Sequence, residues 1–130
     1  MLHPNQFHVN EAWIAFTLND EPIHTDADGD FNYLAVMDAA SCFILGSAPV
    51  PTSAAQLSQM EVKRLLKHGK SHKNQFPRTL FIPANQEAQE LATEAQRQGI
   101  TVVRVPEDQL LIFIGEARDS FRERFGSAGA

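Results

Sequence analysis

The sequence predicts an α/β domain in which a mixed five-stranded sheet carries helices on its faces. Residues 1–50 contain three apolar segments separated by turn-forming residues, a pattern typical of a three-stranded antiparallel meander. After residue 51 the apolar spacing alternates between the helical and the strand period, in the order α-β-α-β-α. Because such units add parallel strands through right-handed crossovers, the whole sheet should be mixed.

Three apolar segments supply the strands of the meander. Asp28-Gly29 suits a type I′ turn between the first two strands. The short AAS segment at residues 39–41 allows a tight reversal before the third. We predict these strands over residues 12–18 (AWIAFTL), 31–38 (FNYLAVMD) and 42–50 (CFILGSAPV).

The first helix should follow directly, with Thr52 or Ser53 as its N-cap and its end near His68. Its apolar and its basic residues fall on opposite halves of a helical wheel, which indicates a helix docked on a sheet. The apolar half holds Ala54, Ala55, Leu57, Val62, Leu65 and Leu66.

Two further strands, at residues 78–83 and 101–105, enclose a second helix. Asn85 should cap this helix, and Gly99 should end it in a Schellman motif with Ile100. The last helix should open at Pro106-Glu107-Asp108 and present Leu110, Ile114, Ala117, Phe121 and Phe125 on one side.

Length, composition and charge restrict the function. The 130 residues fit one domain, with an N-terminal arm at residues 1–10 and a C-terminal tail at 126–130. A net charge of −5 disfavours nucleic acid as a nonspecific partner. Without a signal-peptide pattern or an apolar run near the roughly 18 residues of a spanning helix, we expect a cytoplasmic protein without membrane contact.

Cys42, the single cysteine, lies in an apolar run and should be a buried, inert thiol.

The element order and several local residues resemble the ribonuclease H-like fold of transposase and integrase cores. There, a tyrosine precedes an apolar strand that ends in Asp, and Ser and a glycine-containing strand follow; Tyr33, Asp38, Ser41 and Gly46 fit this spacing. Trp13 resembles the tryptophan that opens the first strand. Residues 76–102 are similar to the next βαβ segment, so the resemblance covers about residues 12–105. The chain is also similar to a group of uncharacterised small bacterial domains.

The resemblance implies where catalytic acids would lie, and this sequence departs from it there. The first catalytic Asp of the family lies midway along the first strand, and the second lies at the tip after the fourth strand. The corresponding residues are Ala15, Phe16 and Thr17, and Pro83, Ala84 and Asn85. Since two-metal phosphoryl transfer needs several carboxylates, the resemblance predicts a domain without nuclease or transposase activity, metal or cofactor.

Asp38 is the centre of an alternative hypothesis, a metal-dependent nuclease or phosphodiesterase that also uses Glu116 and Asp119 of the last helix. We favour a structural role in which Asp38 accepts hydrogen bonds from the turn that follows it. The two helix acids should lie on a solvated face of alternating charge, among Arg118, Arg122 and Arg124.

Two other groupings of metal-binding residue types are better explained without a metal. Asp26, Asp28 and Asp30 match the start of a calcium loop, but the glycine and glutamate that the motif requires later are absent. His68 and His72 have a zinc-like spacing, but we expect the helix to have ended there and both side chains to lie on the surface.

A basic stretch at residues 63–78 is the clearest charge asymmetry and supports a third hypothesis, a binder of nucleic acid or of an acidic protein. Its residues are Lys63, Arg64, Lys67, Lys70, Lys73 and Arg78. The function we favour is a non-enzymatic interaction or assembly module whose partner is another protein or a second copy of the chain. We base the homodimer on a half-apolar last helix and on a very apolar first strand, which we expect at the sheet edge.

Overall fold

A mixed sheet of five strands organises residues 1–19, 21–27 and 29–123, which the computed structural model describes. The strand order is β3-β2-β1-β4-β5; β1 pairs antiparallel with β2 and parallel with β4. Their bounds are β1 Ala12–Thr17, β2 Phe31–Asp38, β3 Ile44–Pro51, β4 Thr79–Pro83 and β5 Thr101–Val105. The predicted α/β class, the meander and the mixed sheet are confirmed.

Within these described residues, three α-helices cover the two faces of the sheet: α1 Gln59–Lys70, α2 Gln89–Arg97 and α3 Leu111–Phe121. Short 3₁₀ turns precede β1 at Pro4–Gln6 and α3 at Glu107–Leu110. None of the helices in the described part of the chain is long and apolar enough to cross a bilayer. Phe125 and the predicted tail at residues 126–130 lie outside the described residues.

The alternation of side chains along β1 separates two apolar cores. Trp13 and Ala15 point to the layer of α1 and α2, where Leu66 and Leu91 pack. Ile14 and Phe16 point to the opposite layer, formed by α3 and the N-terminal arm. Because β1 lies between β2 and β4, the prediction that β1 lies at the sheet edge is wrong. A strand buried on both faces reads as an unbroken apolar run, which is what AWIAF is.

The predicted start of the first helix is also wrong. Residues 52–57 form bends that bring Leu57 into the core, and α1 begins only at Gln59 with Ser58 as its N-cap. Ser58 Oγ accepts a hydrogen bond from the Glu61 amide, and the same hydroxyl donates to Glu61 Oε1 at 3.0 Å. Ala54 and Ala55 therefore lie in the preceding bends and are exposed. The S-x-x-E signal at residues 58–61 outweighs the earlier Thr and Ser.

Asn85 does not cap α2, which begins four residues later. Residues 84–87 form a turn that the Arg104 guanidinium holds through the carbonyl oxygens of Pro83 and Gln86, at 3.1 and 2.6 Å. A residue distant in sequence bonds the first turn of α2 instead: Gln56 Oε1 accepts a hydrogen bond from the Glu90 amide at 2.8 Å. The end of α2 is as predicted.

The end of α2 is a Schellman motif. Gly99 takes a φ of 85° and its amide bonds the Gln96 carbonyl oxygen at 3.0 Å. The Ile100 amide bonds the Ala95 carbonyl oxygen, also at 3.0 Å. This motif turns the chain directly into β5.

Two helical glycines offer a matched test of the packing around β1. An added Cβ at Gly69 would lie 3.0 Å from Trp13 Cη2, whereas an added Cβ at Gly115 of α3 would meet nothing within 4 Å. The Trp13 ring is fully buried, so overpacking of about 1–3 kcal/mol should exceed the helix-propensity gain of about 1 kcal/mol. We expect Gly69→Ala to lower the unfolding free energy by about 1 kcal/mol and Gly115→Ala to raise it by about 0.5–1 kcal/mol. Urea unfolding measures both; stabilisation by Gly69→Ala would contradict the packing.

Candidate functional site

A polar pocket of about 330 Å³ opens at the carboxyl ends of β1 and β4. Because these two strands are adjacent and parallel, the residues that follow them meet at the same end of the sheet. The 3₁₀ turn before α3 and α3 itself complete the wall. The pocket is lined by Thr17, Asn19, Asn85, Gln86, Glu107 and Arg118.

Arg118 is the centre of this pocket. Its Nε and Nη2 donate to the Thr17 carbonyl oxygen at 3.1 and 3.0 Å, and Nη2 also donates to Glu107 Oε1 at 2.9 Å. The side chain is only 21% exposed. The guanidinium therefore joins α3, the end of β1 and the turn before α3. The prediction that Arg118 lies on a solvated face is wrong.

The neutral side chains of the pocket are largely engaged by the protein itself. Asn19 is buried, accepts from the Tyr33 amide at 2.7 Å, and donates to the Glu21 carbonyl oxygen at 2.6 Å. Thr17 Oγ1 donates to Gln86 Oε1 at 2.8 Å. These bonds fix the loops after β1 and β4 relative to each other.

Asp38 lies at the opposite end of β1, where it pairs with Trp13 in the ladder. Its Oδ1 accepts from the Asn10 amide at 2.7 Å, and its Oδ2 accepts from the Ser41 amide at 2.9 Å and the Ser41 hydroxyl at 2.7 Å. Asn10 Oδ1 in turn accepts from Trp13 Nε1 at 2.8 Å. Asp38 thus bonds the turn that follows it, as predicted, and also fixes the N-terminal arm.

Both helix acids, Glu116 and Asp119, are exposed, as the sequence predicts. Asp119 is exposed and forms an ion pair with Arg122 at 3.1 Å. Glu116 lies near Cys42, and the pKa of the Cys42 thiol is raised by burial first, then by Glu116 and by Asp38. Cys42 is half-buried, in a left-handed backbone conformation with φ of 60°. A raised pKa keeps the thiol protonated, consistent with the predicted inert character.

The structure brings no three His, Cys, Asp or Glu side chains together as ion ligands within residues 1–19, 21–27 and 29–123. In the segment that matches only the start of a calcium loop, Asp30 pairs with His24 at 2.8 Å, and Asp28 lies outside the described residues. Helix α1 ends at Lys70, within two residues of the predicted end near His68, so His72 lies beyond the helix. His68 and His72 are exposed, as predicted, with ring centroids 5.6 Å apart; the His72 ring bonds the Leu45 carbonyl oxygen.

The basic stretch lies on the exposed face of α1 and on the segment that leads to β4. Lys70 Nζ lies 4.9 Å from the centre of the Phe76 ring. The structure places all six cations of the stretch on the surface: Lys63, Arg64, Lys67, Lys70, Lys73 and Arg78.

Comparison with known proteins gives a fold and no family. No protein-family model and no curated protein matches the chain. A chain of the simian T-cell lymphotropic virus intasome, solved in complex with PP2A regulatory subunit B56 gamma, is similar with a TM-score of 0.59 and 12% identity, over 88% of this chain and 39% of that one. The catalytic core domain of BIV integrase is similar with a TM-score of 0.57 and 11% identity, over 91% of this chain and 70% of that one.

The fold is ribonuclease H-like. At sequence identities of 12% and 11%, the similarity to these structures shows a shared fold and gives no information on activity. The chain spans 39% of the length of the intasome chain it matches. The predicted resemblance to integrase cores is thereby confirmed at the level of the fold.

Thr17 and Asn85, two of the residues at the positions where the resemblance implies catalytic acids, line this pocket, so its donor set can be compared with the requirements of a metal site. Its lining includes one carboxylate, Glu107, and this carboxylate is paired with Arg118. Hard divalent cations need several anionic oxygen ligands, and a guanidinium carries a permanent positive charge. These residues do not fit a pair of divalent cations.

A substitution at Arg118 tests how much its bonds to Thr17 and Glu107 stabilise the carboxyl ends of β1 and β4. Arg118→Met removes the bonds to Thr17 and leaves Glu107 without its cation, so we expect a loss of about 1–3 kcal/mol in unfolding free energy. The matched control Arg64→Met removes an exposed guanidinium that has no ion pair among the described residues, and it should change stability by less than about 0.5 kcal/mol. Urea unfolding of both variants measures this; equal effects would contradict the role of Arg118.

Asp38 provides the corresponding test at the other end of β1. Asp38→Asn replaces an acceptor-only carboxylate by an amide whose NH₂ must face a donor, so we expect a loss of about 1–3 kcal/mol in unfolding free energy. Hydrogen exchange at the Asn10 and Ser41 amides should also accelerate. Asp119→Asn, on an exposed ion pair, is the control and should stay within about 0.5 kcal/mol. Unchanged exchange at Asn10 would refute the anchoring of the arm.

Proposed function

We propose that this chain is a non-enzymatic ribonuclease H-like domain that acts as an interaction or assembly module. The observation that carries the proposal is Arg118, whose guanidinium bonds both Thr17 and Glu107 in the pocket lined by Thr17 and Asn85, two positions where the resemblance implies acids. The positive charge repels a divalent cation, and the nearest carboxylate is already neutralised.

The alternative of a metal-dependent nuclease built on Asp38 has less support. Both carboxylate oxygens of Asp38 already accept hydrogen bonds from Asn10 and Ser41, and the side chain is 3% exposed. Asp119 pairs with Arg122 instead. An acid in this arrangement organises the backbone around it and is poorly placed to meet a phosphodiester.

The protein partner, the cytoplasmic location and the homodimer stay predictions. With β1 at the centre of the sheet, the argument for a homodimer rests on α3, where Leu111 and Ile112 are 47% and 38% exposed. An exposed apolar pair of this size is a modest feature of a protein surface.

A cleavage assay tests the catalytic half of the proposal. We expect no cleavage of end-labelled single-stranded DNA, double-stranded DNA, RNA or an RNA–DNA hybrid in Mg²⁺ or Mn²⁺, because the pocket residues do not fit these ions. Gel analysis beside a protein-free control measures this. Glu107→Gln and Asp38→Asn serve as matched variants. Metal-dependent cleavage that either variant abolishes would overturn the proposal.

A further inference from the structure

The exposed face of α1 presents a continuous row of cations. Lys63, Arg64 and Lys67 lie on the half of the helix opposite the buried Val62, Leu65, Leu66 and Gly69. Residues at these spacings are neighbours on a helix surface. Met60, one turn earlier on the same face, is 71% exposed.

These cations differ from the other cations of the protein in their partners. Arg97 and Arg122 form ion pairs with acids one turn away, Arg118 pairs with Glu107, and Arg104 donates to two carbonyl oxygens. Within the described residues, no cation of the 63–78 segment forms an ion pair, although the chain has five more acids than bases. Positive potential therefore concentrates on α1 and the loop after it.

The surroundings of the row favour a polypeptide over a nucleic acid. The net charge of −5 places negative charge elsewhere on a small domain, and this charge repels a long polyanion more than a short acidic segment. Phe76, which follows the row in sequence, is half-buried and has Lys70 Nζ 4.9 Å from its ring centre, so this ring does not present an open face for stacking on bases.

We infer that the exposed face of α1 binds an acidic helical segment of a partner protein. Glutamates at the same three- and four-residue spacing on a partner helix would face Lys63, Arg64 and Lys67, and an apolar residue one turn away would cover Met60. The inference names the partner class of the interaction module proposed above and rests on that proposal.

A synthetic peptide tests this inference without reference to nuclease activity. The probe is an alanine-based peptide of about 20 residues, long enough to be helical in water, with glutamates at the three- and four-residue spacing. A scrambled peptide of the same composition is its control. The expected result is binding by the spaced peptide, at least about tenfold tighter than by the scrambled one, that weakens as NaCl rises from about 0.05 to 0.3 M. Fluorescence anisotropy measures each affinity.

Two triple variants with the same change in net charge locate the binding face. Lys63→Gln/Arg64→Gln/Lys67→Gln neutralises the row on α1 and should weaken binding at least about tenfold. Gln89→Glu/Thr93→Glu/Gln96→Glu lowers the net charge equally on the exposed face of α2 and should leave the affinity within about threefold. Circular dichroism confirms that both variants fold.

Three results would overturn the inference: no binding of the spaced peptide at low salt, equal binding by the scrambled peptide, or equal weakening by the two triple variants. Tighter binding of a single- or double-stranded oligonucleotide than of the peptide would also overturn it, in favour of nucleic acid. None of these results bears on the cleavage assay, so the non-enzymatic proposal is judged separately.

Discussion

The burial of β1 on both faces is the constraint on which the rest of the structure depends. Trp13 through Phe16 are fully buried, and the strand pairs with β2 on one side and β4 on the other. An apolar strand in this position needs a helical layer above and below, which α1 and α2 supply on one face and α3 with the N-terminal arm on the other. Close packing of Gly69 on the Trp13 ring sets how near α1 approaches.

The two ends of β1 are fixed by two different charged groups. At the carboxyl end, Arg118 crosses from α3 to the Thr17 carbonyl oxygen, a contact between residues 101 positions apart. At the amino end, Asp38 accepts from Asn10 and Ser41 and so joins the arm to the turn after β2. Each group satisfies backbone atoms that have no ladder partner at the strand ends.

Local patterns gave the order and type of the elements, because apolar periodicity and turn residues act over a few positions. The Schellman end of α2 at Gly99 and the bonding of Asp38 to Ser41 are both local, and both were predictable. The failures depend on distant residues: Gln56 bonds the start of α2, and Arg118 reaches the end of β1. The unbroken apolar run of β1 is itself typical of a central strand buried on both faces, so the hydrophobicity of this strand is no sign of an edge position.

The cations of this domain fall into two groups: some bond groups of the same chain and stabilise the fold, and others lie exposed on the surface. Arg118 and Arg104 bond carbonyl oxygens of their own chain, so their charges are part of the architecture. Within the part of the chain that the structure describes, Lys63, Arg64 and Lys67 form no such contact, and exposed cations of this kind add little to stability. Their replacement should therefore leave the fold intact while it changes the potential over α1. Variants can therefore test a binding role of this face without destabilising the fold. Changes to the polar pocket, in contrast, would also destabilise the carboxyl ends of β1 and β4.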